Sequence, residues 1–210
     1  MYFLQILSDG SVCSKKTRSV NHILGEARSS FTTFAVHDCI SSPYIIAFSK
    51  HFTRLLAGLD SLNIKIDFDI EDLLILIRKV AIRAKEDGID TLRIRISVME
   101  TDILIEGWPL EVRNKSISLL LTKYTRSNPE YKVSPMFDEK SLRESASESG
   151  FQEALLVNDF GDITEGAWSN FFWVNSSNQL CTCPKDVLPG VTREIIISGY
   201  PTTLQTLSEQ

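Results

Sequence analysis

Histidine is scarce in this chain of 210 residues: there are three, all in the first quarter. Of the four cysteines only Cys181 and Cys183 are close, as a Cys-x-Cys inside an apolar stretch. Positions two apart on a strand share a face but lack the reach of a tetrahedral zinc set. No metal centre is expected, and the thiols are expected to be reduced and mostly buried. No apolar run approaches the roughly 20 residues that span a bilayer, and Met1–Leu7 has neither the basic start nor the long apolar core of a secretory signal. The expectation is a cytoplasmic protein with no membrane partner. Cationic excess is also missing. Lys and Arg number 22 against 27 Asp and Glu, a net charge of −5, which argues against nucleic acid or an anionic membrane as main partner and leaves room for one local basic pocket. There is no internal repeat and no low-complexity segment. The hydrophobic content of 43% suits a folded chain of one large or two small domains.

What is present reads as mixed α/β. Tyr2–Leu7 is a short strand with Ser8-Asp9-Gly10 as its turn. Phe31–Val36 is a second strand after a Gly25-Glu26 turn, and Tyr44–Phe48 is a strand candidate after Pro43. From His51 to Leu62 apolar residues recur at spacings of three and four, predicting an amphipathic helix. Glu71–Lys85 repeats that pattern, with Gly88 placed as a C-terminal cap. Leu92–Val98 alternates strictly, and Asp102–Glu111 and Lys115–Thr122 read as further strands. Lys123–Lys132 is polar and basic and reads as a crossing between two halves; Asp138–Ser149 is a helix with a sparse apolar face, closed by Gly150. Short strands follow at Ala154–Val157, Asn170–Val174 and Leu180–Thr182.

Four places carry chemistry. Pro189-Gly190-Val191-Thr192-Arg193 opens an apolar helix, so backbone N–H groups and the positive end of a helix dipole meet there as an anion site, with the Thr192 hydroxyl beside them. Glu165 stands in a Gly-bounded turn between apolar strands. His51 and Arg54, three apart on their helix, form either a solvated face with a capping histidine or a basic pair facing an anion. Arg93 and Arg95 share the polar face of Leu92–Val98, which either meets solvent or lines a cleft suited to a substrate carboxylate.

Asp159-Phe160-Gly161-Asp162-Ile163-Thr164-Glu165-Gly166, then Ser169-Asn170-Phe171-Phe172, then Leu188-Pro189-Gly190-Val191-Thr192-Arg193 together resemble the signature of the class IV aminotransferases, the fold type IV pyridoxal-phosphate enzymes. Phe31-Thr32-Thr33-Phe34, His51-Phe52-Thr53-Arg54-Leu55, the trio Arg126, Pro129 and Lys132, and Gln152-Glu153-Ala154-Leu155 resemble its upstream blocks.

The resemblance implies a two-domain α/β (α+β) enzyme. Its smaller N-terminal α/β domain (1–122) would lead through a linker (123–132) into a C-terminal mixed sheet or barrel domain with helices (133–210), with pyridoxal 5′-phosphate at the interface and a homodimer as the assembly. Lys132 would carry the cofactor and move the proton at the substrate α-carbon. Glu165 would hold the ring nitrogen protonated. Arg54, Val191 and Thr192 would hold the phosphate, and Thr32, Arg93, Arg95 and Asn170 would face the substrate. That substrate is a small molecule, aminodeoxychorismate or an amino acid and its keto acid. Phe-Thr-Thr in place of Phe-Glu-Thr, the Arg-x-x-Pro-x-x-Lys spacing and Phe137 after the lysine lean toward 4-amino-4-deoxychorismate lyase, which releases pyruvate and 4-aminobenzoate for folate biosynthesis. A branched-chain or D-amino-acid aminotransferase is the alternative. Because the family pattern extends beyond Gln210, an inactive relative acting as a binding protein is the third reading.

Overall fold

The computed structural model describes residues 1–6, 12–13, 27–111 and 116–208. Its elements run β1 (Tyr2–Ile6), β2 (Val12–Cys13), β3 (Ser29–Val36), α1 (Phe48–Ser61), α2 (Ile70–Glu86), β4 (Leu92–Val98) and β5 (Ile103–Pro109). There follow β6 (Leu119–Lys123), β7 (Val133–Ser134), α3 (Phe137–Glu148), β8 (Glu153–Val157), β9 (Asp162–Gly166), β10 (Phe172–Val174), β11 (Leu180–Thr182), α4 (Val191–Gly199), β12 (Thr202–Leu204) and β13 (Leu207–Ser208). The chain separates into one unit of Met1–Arg113 with Lys132–Pro135 and a second of Asn114–Tyr131 with Met136–Gln210.

In the first unit the strands form one antiparallel sheet in the order β2-β1-β5-β4-β3-β7. β4 lies between β3 and β5, and its alternation sends Leu92, Ile94 and Ile96 into the core while Arg93 and Arg95 take the other face. The buried face packs with Leu55 and Leu59 of α1 and with Leu73, Ile77 and Val80 of α2. α2 starts at a capping box, in which Asp69 accepts from the Glu71 and Asp72 N–H groups while Asp72 accepts from Asp69 N–H. α1 approaches β3 closely at Gly58, where a Cβ would meet the Ser30 hydroxyl that donates to Leu55 O. β7 adds to the edge of β3 through Ser29↔Ser134 and Ser30↔Val133.

The second unit contains a four-stranded sheet, β13-β9-β8-β6, with β6 and β8 parallel, and a three-stranded sheet, β10-β11-β12. α3 packs on the four-stranded sheet through Ala146, against Ala154, Leu156 and Ala167.

Most elements lie where periodicity places them, with informative differences. Tyr44–Phe48 is not a strand: Tyr44 makes an isolated bridge to His37, Ala47 takes a left-handed conformation and Phe48 already begins α1. Glu165 lies within strand β9, not in a turn. The turns expected at Ser8–Gly10 and Gly25-Glu26, Leu7 and Lys115 fall outside the described residues. Among the described residues no helix is long and apolar enough to cross a membrane.

Candidate functional site

Each unit gathers a polar cluster. In the first, the backbone brings Lys132 to β3, where Phe31 N–H donates to Lys132 O at 3.0 Å. The Lys132 ammonium nitrogen then lies 4.7 Å from the centre of the Phe31 ring, and the Arg95 guanidinium carbon lies 4.1 Å from the same ring. Arg95 is half-buried, and burial pushes its guanidinium pKa down. Arg93 is exposed, with its guanidinium 5.0 Å from the Trp108 ring. The polar face of β4 therefore divides, and only Arg95 shares a ring with the lysine.

One residue along β3, Thr32 is buried between two α1 side chains. Arg54 Nη2 donates to Thr32 Oγ1 at 3.1 Å, and Thr32 Oγ1 lies 2.9 Å from His51 Nδ1. A guanidinium can only donate, so Thr32 Oγ1 accepts from Arg54 while its other contact is with the His51 ring. His51 is 8% exposed, and its pKa is pushed down to about 4, by burial first and then by the charges of Arg54 and Lys132. The histidine is therefore buried against Thr32 and not on a solvated face. Burial also lowers Arg54, to about 10.

In the second unit the centre is Glu165, 2% exposed. Arg126 Nε donates to its Oε1 at 2.8 Å; Asn170 Nδ2 and Leu188 N–H donate to its Oε2, each at 3.0 Å. Asn170 Nδ2 also donates to Leu188 O at 2.9 Å, so its amide is turned onto Glu165 and the loop before α4. Arg126 spreads further: Nη1 donates to Glu139 Oε1 and Nη2 to Ala167 O, both at 2.9 Å.

α4 opens at Gly190, which is extended (φ −66, ψ 136) and whose side of the helix start carries no side-chain cap. A Cβ at Gly190 would fall on Asn170 Oδ1, so the absence of a side chain there lets the helix start close on the group that holds Glu165. Val191 is buried and Thr192 is exposed. Arg193 Nη2 donates to Cys183 O at 2.7 Å, and its charge is within electrostatic range of Glu165.

The sequence residues thus fall into two sets: Lys132, Arg54, Thr32 and Arg95 in the first unit, and Glu165, Asn170, Val191 and Thr192 in the second. What composition and spacing missed is Glu139. It stands on the Leu142 and Ala146 side of α3, at spacings of three and seven, where an apolar residue would complete the stripe. A carboxylate on the apolar face of a weak helix is the signal that marks it.

Amino-transferase class IV is the description of the family model that matches residues 29–209. A probable branched-chain-amino-acid aminotransferase of Aquifex aeolicus (strain VF5) is 25% identical over 178 residues, which are 74% of this chain and 57% of that protein. The chain therefore spans little more than half the length of this relative. Among solved structures, the branched-chain amino acid aminotransferase from Escherichia coli has a TM-score of 0.79 at 22% identity, covering 99% of this chain and 77% of that one. The branched-chain aminotransferase of Thermoproteus uzoniensis with norvaline gives 0.81 at 18%, covering 100% and 79%. A hypothetical aminotransferase from Mycobacterium tuberculosis in its PLP-bound form gives 0.77 at 14%, covering 98% and 82%. At these identities the solved structures show a shared fold.

Proposed function

We propose, from the premise that this chain belongs to the class IV aminotransferases, that it transfers an amino group between an amino acid and a 2-oxo acid with pyridoxal 5′-phosphate as cofactor. The observation that carries the reading is the pair of cations on one ring: Lys132 and Arg95 both lie over Phe31. An amine able to move a proton and a guanidinium able to grip a carboxylate are what an amino acid needs at its α-carbon and its acid group. The named relatives add support, because those with a stated substrate class are branched-chain aminotransferases.

The donor set fits the cofactor. Glu165 offers a buried carboxylate, oriented by Arg126, Asn170 and Leu188 N–H, to a ring nitrogen. The start of α4, with Val191 and Thr192, is suited to a phosphate, and within the first unit the guanidinium of Arg54 is suited to an anion. When bound, pyridoxal phosphate supplies a ring that delocalises the electron pair left on the substrate α-carbon. The chain's own residues do the rest. Lys132 Nζ takes the α-proton and returns it at the far end of the transfer. Arg95 holds the substrate carboxylate, and Arg93, exposed over Trp108, leaves it to do so. Thr32, itself in contact with His51, keeps the Arg54 guanidinium in place.

Of the three features that lean toward the lyase, the spacing up to Lys132, Phe137 and Thr32, the structure gives Thr32 another task. Its hydroxyl is engaged by Arg54 and His51 on a buried residue, so an internal task accounts for the threonine without a special substrate, and the amino-acid aminotransferase is preferred. Product identity tests this. Glutamate from 2-oxoglutarate and a branched-chain donor supports the proposal. Pyruvate and 4-aminobenzoate from aminodeoxychorismate, with no glutamate, would overturn it.

A further inference from the structure

We propose that Glu139 is a positioning residue that balances the charge at Glu165 and thereby sets how strongly that carboxylate holds a cationic ring nitrogen. The inference rests on the reading that Glu165 meets the cofactor ring. Arg126 is the shared element: its Nε goes to Glu165 at 2.8 Å and its Nη1 to Glu139 at 2.9 Å, with side-chain exposures of 10% for the arginine, 9% for Glu139 and 2% for Glu165. The third edge of the guanidinium is tied to Ala167 O at 2.9 Å, so it cannot swing wholly to either carboxylate without losing a bond.

Arg193, held by Cys183 O, adds a second positive charge within electrostatic range of Glu165. These two guanidiniums and two carboxylates sum to zero. Without Glu139, Glu165 would lose the carboxylate that shares Arg126 with it, and the added positive field in a buried place would oppose a further cation at the same carboxylate. With Glu139 drawing on Arg126, Glu165 keeps charge to offer.

Stability alone does not call for this arrangement. A buried ion pair roughly breaks even against well-packed apolar groups of the same volume, and the position lies on the side of α3 that carries Leu142 and Ala146. An acid there is better explained by its effect on Glu165 than by its contribution to packing.

The test compares dissociation constants for pyridoxal 5′-phosphate and for 1-deazapyridoxal 5′-phosphate, in which C–H replaces the ring nitrogen, with circular dichroism confirming the fold of each variant. Glu139→Gln keeps the shape and the hydrogen bond from Arg126 but removes the charge. It is expected to weaken the nitrogen ring by on the order of tenfold and leave the deaza analogue within about twofold. Glu139→Asp, which keeps the charge, is expected to retain the parent's preference; if Glu139→Gln does not fold, loss of that preference in Glu139→Asp overturns the proposal. Equal weakening of both ligands by Glu139→Gln, or no change in either, also overturns it. Glu165→Gln separates the two levels. If it abolishes the preference while Glu139→Gln does not, only the role of Glu139 falls; if neither variant alters the preference, the placement of Glu165 at the ring falls as well.

Discussion

Arg126 and Glu165 form a buried ion pair, Nε to Oε1 at 2.8 Å, that joins the segment leading to Lys132 with the strand whose carboxylate is assigned to the cofactor ring. Breaking a buried pair from one side strands the other charge, at a cost of about 3–5 kcal/mol. Arg126→Ala is therefore expected to lower thermal stability by that order and to lose bound pyridoxal phosphate. A melting curve and the visible absorbance of the cofactor read both; an unchanged melting temperature would show that the pair is not closed in solution.

His51 gives a stability–pH prediction. Its pKa falls from an ordinary 6.5 to about 4 in the folded chain, by burial first and then by Arg54 and Lys132. The unfolded chain therefore binds the proton more readily, so the stabilisation is complete above about pH 6.5 and is lost as pH falls toward 4. Roughly 2–4 kcal/mol is at stake. His51→Asn, which leaves a hydrogen-bonding side chain facing Thr32, is expected to flatten the urea-midpoint profile between these pH values. A slope as steep as the parent's would assign the pH dependence to other groups.

How far could these clusters be read from the sequence? β4 was legible residue by residue, because alternation of Leu92, Ile94 and Ile96 with two arginines needs only a period of two. Leu180–Thr182 and the start of α4 were legible from turn chemistry. Tyr44–Phe48 suits a strand by composition, with aromatic and β-branched residues after a proline, whereas the left-handed Ala47 starts a helix there. The split between Arg93 and Arg95 was not legible, because one face of a strand looks uniform until Trp108 and Phe31 cover different parts of it. The burial of His51 and of Glu139 is not legible for one reason: a polar side chain on an amphipathic helix looks solvated until its partner, Thr32 or Arg126, is placed by distant chain.

That split gives a kinetic prediction. A charged hydrogen bond to a carboxylate is worth about 1.5–3 kcal/mol, so Arg95→Ala is expected to raise KM for the oxo acid by roughly 10–100-fold. Arg93→Ala is expected to change it by less than about threefold, in keeping with the small effect of exposed charges. The reverse order would move the substrate carboxylate to Arg93.

Gly190 links the helix start to Glu165. In Gly190→Ala the new Cβ meets Asn170 Oδ1 and displaces the amide that donates to Glu165 and Leu188. Overpacking of this kind costs about 1–3 kcal/mol, and cofactor affinity is expected to fall with it. Full affinity in a stable Gly190→Ala protein would show that Asn170 does not need its place.

The most direct test of the account is amino transfer itself. The purified chain with pyridoxal 5′-phosphate, L-leucine and 2-oxoglutarate is expected to form glutamate and the leucine 2-oxo acid in equal amounts, and Lys132→Ala is expected to form neither. A folded chain that binds the cofactor yet transfers no amino group, or a Lys132→Ala variant that transfers it at the parent rate, would contradict the account.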